Sequence, residues 1–252
     1  MYTFYTDISP TIAPSLYQRE LVKNLIKKHG DKIQLTLIHH KLIRRNLDIY
    51  SYNNVKESRV CILPYVGEKQ ICMLNLDIIH FNCIPWLFRT EIHKLPSKKI
   101  ATVHGDIHWI NLSLAPNKLV SLIRRVTEPK VVKRLDKIIA ISMSLKDRLI
   151  NFLKIPEEKI NVIYPGIDLS TFRPAKDAEI EDTLKKYRIS KPYILHVSRF
   201  SLRKNPWALF NSYALVKKKI KNIKLVIVGR GWSKEHIRKF CRLVNYCKDV
   251  II

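Results

Sequence analysis

The chain has 252 residues, with 46 Lys+Arg against 21 Asp+Glu, a formal charge of +25, and a 46% share of hydrophobic residues. That much apolar side chain can bury a substantial core, which excludes a disordered basic tail and points to one large domain or two modest ones. The charge surplus is spread along the chain and favours anionic partners (nucleotide phosphates, nucleic acid, acidic lipid headgroups) without choosing among them.

Five cysteines, Cys61, Cys72, Cys83, Cys241 and Cys247, form no C-x-x-C pair. Neither a zinc ribbon nor a dithiol redox motif is written here, and the odd count fits a reducing compartment. The opening MYTFYTDISP lacks a basic segment followed by an apolar one, and no uninterrupted apolar stretch approaches ~18 residues. The expected location is cytoplasmic, with peripheral membrane contact as an option.

Short apolar runs alternate with longer amphipathic stretches, the pattern of a parallel sheet covered by helices, so the expected class is α/β. In chain order the predicted strands of the first half are Tyr2–Tyr5, Ile33–His39, Val60–Pro64, Ile78–Phe81, Ile100–His104, Lys137–Ile141 and Ile160–Tyr164. The clearest helices are Leu16–Lys28, Lys130–Arg134 and Leu145–Phe152. Ser15 suits the N-cap of the first, and Ser144 with Asp147 has the spacing of a capping box for the last.

After Tyr164 the composition shifts. PGIDLSTFRPAKDAEIEDTLKKYRISKP carries three prolines and mixed charge before the strand-like YILHVS. The domain boundary is placed there, giving 1–168 and 169–252. Beyond it come strand Tyr193–Ser198, helix Pro206–Lys218, strand Lys224–Val228, helix Lys234–Asn245 and the opening of a strand at Asp249–Ile252. A doubly wound half of this type needs about five or six strands, so the second domain is expected to be incomplete within these residues.

Three segments offer chemistry. In HVSRFSLRKNPWALF a strand leads to Arg199 and Lys204, and Asn205-Pro206 opens a helix as N-cap and first helical residue. A helix N-terminus attracts phosphate; Arg199 can bind two oxygens through its planar fork, and Lys204 acts as a flexible point charge. Two solvated cations among 46 meet the same spacing. In KLVIVGRGW a buried strand runs into Gly229 and Gly231, where missing β-carbons let backbone approach a ligand. Lys234 stands where G-x-G-x-x-G needs its third glycine, so from these residues alone a tight strand-to-helix turn is the leading account. IATVHGDIHWI puts Thr102, His104, Gly105 and Asp106 at the carboxyl end of a strand, where open α/β sheets hold their ligands. His104 is the candidate catalytic or substrate-contacting group, with a structural histidine as the alternative. The His104/His108 spacing suits a helical zinc pair, but the strand context, the intervening glycine and the lack of a glutamate after His104 argue against metal. G-x-x-x-x-G-K-[ST], G-x-S-x-G and D-x-D are all missing.

In order along the chain, TVHGD, IIAIS, INVIYPGIDLSTFRP, YILHVSRFSLRKNP and KLVIVGRG resemble the GT-B glycosyltransferases, specifically the large family 4 of retaining, sugar-nucleotide-dependent enzymes. The resemblance runs from about Asp77 onward. It implies two facing Rossmann-like domains, an acceptor site mainly in the first, a donor site mainly in the second, and catalysis in the cleft. It implies that Arg199 and Lys204 bind the donor diphosphate and stabilise the departing nucleoside diphosphate without metal or separate cofactor. His104 resembles the cleft histidine near the reacting carbon, Gly229 and Gly231 the glycine turn beneath the nucleotide, and Gly166 to Asp168 the inter-domain turn. The family's first-loop glycines are missing from SPTIAPSLYQRE. The family also carries two glutamates separated by seven residues; no two of the ten glutamates here stand eight positions apart. That segment is expected beyond Ile252, which makes the chain a fragment of a longer protein, a truncated gene product or a chain completed by a partner, and the chain alone is expected to be weakly active or inactive.

Lys118–Lys137 holds seven basic residues against two acidic, and Arg19, Lys23, Lys27 and Lys28 lie on the first helix. Such a face would hold an enzyme of lipid-linked acceptors on anionic membrane; a solvated helix face is the alternative. Nucleic-acid binding rests on the charge and on KKKIKNIK at Lys217–Lys224, with no recognised motif behind it. A non-catalytic nucleotide-sugar binder or scaffold is the third reading.

Overall fold

The computed structural model describes residues 13–40, 55–60, 66–84, 94–105, 118–244 and 247–252. The chain divides into two compact units, Met1–Gly166 and Ile167–Ile252, while the sequence boundary stands at 168/169. The predicted strand Tyr2–Tyr5 lies outside the described residues.

In the first unit the elements are α1 (Ala13–His29), β1 (Leu35–His40), β2 (Val55–Val60), α2 (Val66–Cys72), β3 (Ile78–Phe81), β4 (Lys98–Val103), α3 (Lys118–Val132), β5 (Lys137–Ala140), α4 (Met143–Leu153) and β6 (Ile160–Val162). β1 and β2 pair in parallel, Leu35 opposite Val55. β3, β4, β5 and β6 form a parallel sheet in that order, with Ile78 opposite Lys98, Ile100 opposite Lys137 and Ile138 opposite Ile160. Parallel strands need crossover connections and are covered on their faces, which is why they read as apolar runs. Ile79, Phe81, Ala101, Val103, Ile138 and Ala140 pack with Val131 and Val132 of α3 and with Leu145, Leu149 and Leu153 of α4. The three leucines recur at i, i+4 and i+8 on one helical face, and each contributes roughly 1.5–3 kcal/mol by leaving water.

Local chemistry corrects several sequence readings. Ser142 holds extended backbone and its side chain accepts the Leu145 N–H at 3.2 Å. Ser142 therefore caps α4, and the predicted pair Ser144/Asp147 lies inside the helix. Lys154 closes it in left-handed conformation, its N–H donating to the Ile150 carbonyl at 3.0 Å. α1 begins at Ala13, so Ser15 stands within its first turn rather than at its cap. α3 runs from Lys118 to Val132 with Pro129 inside it, so the predicted helix at Lys130 overlaps only its end. β2 is the polar segment VKESRV, five residues earlier than the apolar run taken as the strand; its partner β1 supplies the ladder that its composition does not advertise.

The second unit comprises α5 (Asp177–Tyr187), β7 (Tyr193–Val197), α6 (Pro206–Lys219), β8 (Lys224–Val228), α7 (Lys234–Val244) and β9 (Val250–Ile251). β7, β8 and β9 make a parallel sheet in that order. Its core is aromatic: Phe210 stacks on Phe240 at 4.9 Å, with Tyr213, Leu225, Ile227 and Trp232 around them. Lys217 is buried, and its Nζ donates to the Ile223 carbonyl and to Asp249 Oδ2, both at 2.9 Å, which ties α6 to the residue preceding β9. α5 falls where sequence suggested only a linker; Glu179 accepts from the Lys176 N–H at 2.8 Å at its start, and Leu184 is its buried anchor. Among the described residues no helix is long and apolar enough to cross a membrane.

Candidate functional site

In the second unit, β7 and β8 lie side by side and the loops leaving their carboxyl ends are fastened together. Ser198 N–H donates to the Val228 carbonyl at 2.9 Å, Phe200 N–H to the Arg230 carbonyl at 2.8 Å, and Trp232 Nε1–H to the Ser198 carbonyl at 2.8 Å. Gly229 (φ +152°) makes this approach possible: a β-carbon there would lie 1.9 Å from the Ser198 oxygen and 3.1 Å from the Arg199 nitrogen. Gly231 (φ +82°) adopts a left-handed turn with Phe200 as its nearest neighbour. Phe200 in turn stacks on His236 at 3.8 Å and meets Trp232 edge to face at 5.0 Å. The two glycines therefore hold the Arg199 loop to its neighbour.

Arg199 and Lys204 are both exposed. Lys204 ends a single 3₁₀ turn, Leu202–Lys204, after which Asn205 turns left-handed (φ 47°) and caps α6. The Asn205 side chain accepts the Ala208 N–H at 3.2 Å, its carbonyl accepts the Leu209 N–H at 3.3 Å, and Pro206 has no donor to offer. The Asn205 side chain thus takes the Ala208 N–H, and the Leu209 N–H makes the first ordinary i to i−4 bond of the helix. Anion attraction at this end rests on the helix dipole and on the Arg199 and Lys204 side chains.

In the first unit His104 follows β4 and sits beside the end of β3. Its Nε2 is 3.3 Å from Asn82 Oδ1, and Asn82 Nδ2 donates to Gln18 Oε1 of α1 at 3.1 Å. The Tyr17 ring meets the imidazole edge to face at 4.9 Å. Burial holds the His104 pKa below its ordinary value, partly opposed by a hydrogen bond to the Asn82 backbone, so the ring is neutral near pH 7. One strand earlier, His80 Nε2 lies 2.8 Å from Thr102 Oγ1, and burial lowers its pKa to about 4. Asn82 and Gln18 were missed by the sequence reading. Asn82 stands at a strand's carboxyl end by the same rule that picked out His104, and Gln18 occupies a buried helical position one turn before Val22.

At the unit boundary Asp168 accepts from the Ser170 N–H at 2.9 Å and from the Ser170 and Thr171 hydroxyls at 2.7 Å, which lowers its pKa to about 2. Among the described residues no three His, Cys, Asp or Glu side chains gather as a metal site; His108 lies outside them.

Comparison with known proteins adds the following. Residues 63–171 match the family described as Glycosyltransferase Family 4. A GDP-mannose-dependent alpha-(1-6)-phosphatidylinositol monomannoside mannosyltransferase of Mycobacterium tuberculosis is 28% identical over 145 residues, which is 57% of this chain and 35% of the relative. A D-inositol 3-phosphate glycosyltransferase of Xylanimonas cellulosilytica is 25% identical over 154 residues, 59% of this chain and 36% of the relative. The chain thus aligns with about a third of the length of these relatives. Among solved structures, Anabaena HepE in complex with UDP-glucose superposes with a TM-score of 0.69 at 13% identity, covering 99% of this chain and 67% of that one. A glycosyltransferase from Rickettsia africae superposes at 0.65 with 19% identity, covering 99% and 66%.

Proposed function

We propose, from the premise that this chain has the GT-B fold and carries a Glycosyltransferase Family 4 segment, that it forms the first domain and part of the second domain of a glycosyltransferase using a nucleotide-sugar donor. The observation that carries this reading is the Arg199 loop: two exposed cations at the carboxyl end of a parallel sheet, beside a helix N-terminus, on a loop fastened by an obligatory glycine. In the reaction the bond between the sugar's anomeric carbon and the diphosphate oxygen breaks. A bond forms from that carbon to an acceptor oxygen, whose proton departs. Negative charge accumulates on the leaving diphosphate, and Arg199 and Lys204 stabilise it without requiring metal. His104, neutral and half-buried, contacts the donor sugar. The acceptor stays open, and the test begins with binding. The 252-residue chain is titrated with UDP, GDP and their sugar conjugates by calorimetry. Binding that falls about tenfold or more in Arg199→Ala, with an unchanged melting temperature, is expected. Equal affinity in wild type and variant refutes the assignment, and binding without any transfer by the whole protein favours the scaffold reading.

A second reading, peripheral contact with anionic membrane, is favoured by α3. Its core-facing side buries Glu128, paired with Arg124, while Leu119 (68% exposed), Leu122 (50%) and Val126 (57%) form an apolar stripe on the opposite side. Arg125, Lys130 and Lys133 are exposed nearby. Apolar insertion with flanking cations is the pattern of an interfacial helix. Co-sedimentation with phosphatidylglycerol vesicles, weakened by salt and by Leu122→Glu, is expected; binding indifferent to both counts against it.

A further inference from the structure

We propose that Asn82 and Gln18 are positioning residues that hold His104 in a single tautomer, with the proton on Nε2 and the Nδ1 lone pair left as a hydrogen-bond acceptor. The proposal rests on the reading that His104 contacts substrate and adds how it is prepared to do so.

The chain of groups is ordered by donor and acceptor arithmetic. A neutral imidazole has one N–H and one lone pair, and an amide side chain has one accepting and one donating end. Asn82 turns its Oδ1 toward His104 Nε2 (3.3 Å) and its Nδ2 toward Gln18 Oε1 (3.1 Å). With Oδ1 as the facing atom, Nε2 must carry the proton. If Asn82 were reversed, Nδ2 would face the ring and the other tautomer would be required, so the orientation of one amide selects the tautomer of the other group. Gln18 opposes reversal of Asn82 alone, because it presents an acceptor to the donor end of Asn82; reversal of both amides together would put the proton on Nδ1 instead.

Burial makes this choice firm. Gln18 and Asn82 are each 1% exposed, so water does not compete for their polar ends. The remaining donor, Gln18 Nε2, is buried and has no hydrogen-bond partner among the described residues. Leaving a buried amide donor unpaired is unfavourable, and a helix position one turn before Val22 would be packed more simply by an apolar residue. The amide is thus kept against a packing disadvantage, and its hydrogen bond among the described residues is the one made with Asn82. Tyr17, the preceding residue on α1, adds its ring edge against the imidazole at 4.9 Å, so two consecutive α1 residues bear on His104, one directly and one through Asn82. The consequence for chemistry is that His104 offers Nδ1 as an acceptor to a hydroxyl donor, such as a sugar hydroxyl.

The test is long-range ¹H–¹⁵N correlation NMR of the ¹⁵N-labelled 252-residue chain at about pH 8, where an ordinary histidine is neutral. Which His104 nitrogen bears the proton is read directly. Wild type is expected to show Nε2–H alone. Asn82→Ala and Gln18→Met are each expected to lower the ratio of the two tautomers about five- to tenfold, as the loss of one orienting hydrogen bond does. Gln18→Glu, which keeps an acceptor for Asn82 Nδ2, is expected to retain Nε2–H. Wild type carrying Nδ1–H or a mixture overturns the proposal, and so does an unchanged tautomer in both Asn82→Ala and Gln18→Met. If Gln18→Met does not fold, Asn82→Ala and Gln18→Glu still decide it. The readout is independent of turnover: a locked tautomer with donor binding indifferent to His104→Ala would refute the substrate role of His104 and leave the positioning pair standing.

Discussion

Gly229→Ala is the most direct perturbation of the proposed donor site, because the structure fixes its size. A β-carbon at Gly229 meets the Ser198 carbonyl oxygen at 1.9 Å, and real contacts of this kind do not fall below 3.0 Å, so the two loops must part by about 1 Å. Both obstacles are backbone, and neither has a rotamer to yield. The hydrogen bonds Ser198 N–H to Val228, Phe200 N–H to Arg230 and Trp232 Nε1–H to Ser198, at 2.8–2.9 Å, span the gap that must open. Losing two of the three removes about 1–3 kcal/mol, and a non-glycine residue at φ +152° adds roughly 1–3 kcal/mol of backbone strain. The expected loss is therefore about 2–6 kcal/mol from the second unit. Urea unfolding followed by the fluorescence of Trp207 and Trp232, both in that unit, measures it. Because Arg199 follows Ser198 directly, nucleotide affinity should fall with it. The control is Gly166→Ala, where a β-carbon meets nothing within 4 Å among the described residues and the midpoint should stay put. A Gly229→Ala midpoint within error of wild type would refute the account of this turn.

Three further outcomes follow from the geometry. Lys217→Ala strips the Ile223 carbonyl and Asp249 of a buried partner and should destabilise the second unit by about 1–3 kcal/mol in the same urea assay; the lower end reflects Asp249 being 32% exposed. Gly231→Ala, with a left-handed φ but only a 3.5 Å contact, should lose less than Gly229→Ala, and an equal loss would contradict the steric argument. His80 gives a pH signature: its folded pKa of about 4 lies below the ordinary 6.5, so between those values the unfolded state binds more protons. Its contribution is complete above about pH 6.5 and is lost as pH falls toward 4, by roughly 3 kcal/mol, and His80→Gln should flatten that slope relative to wild type.

The parallel strands were legible because burial on both faces leaves a run of apolar residues that needs no partner to be recognised: Ile78–Phe81 and Lys224–Val228 coincide with β3 and β8. β2 was not, because VKESRV is extended only by virtue of pairing with β1, and that information lies twenty residues away in the chain. α5 was hidden for a related reason. Its residues are mostly exposed, a single buried Leu184 anchors it, and mixed charge with prolines on either side looks the same in a linker as in a solvated helix. The candidate site divides along the same line. Arg199, Lys204, Gly229, Gly231 and His104 could be named because strand ends and glycine turns are local patterns. What each does to its neighbour could not, since it depends on register: Gly229 meets Ser198 thirty-one residues earlier, and His104 meets Gln18 through Asn82 across three elements. Sequence patterns therefore point to where chemistry can occur, and long-range contacts decide the protonation and orientation with which a residue enters it. His104 shows the difference most clearly. As a residue at a strand's end it could serve as acid, base or hydrogen-bond partner. Burial keeps it neutral, and in the proposed tautomer, with Asn82 accepting from Nε2–H, the Nδ1 lone pair is left to accept a hydrogen bond.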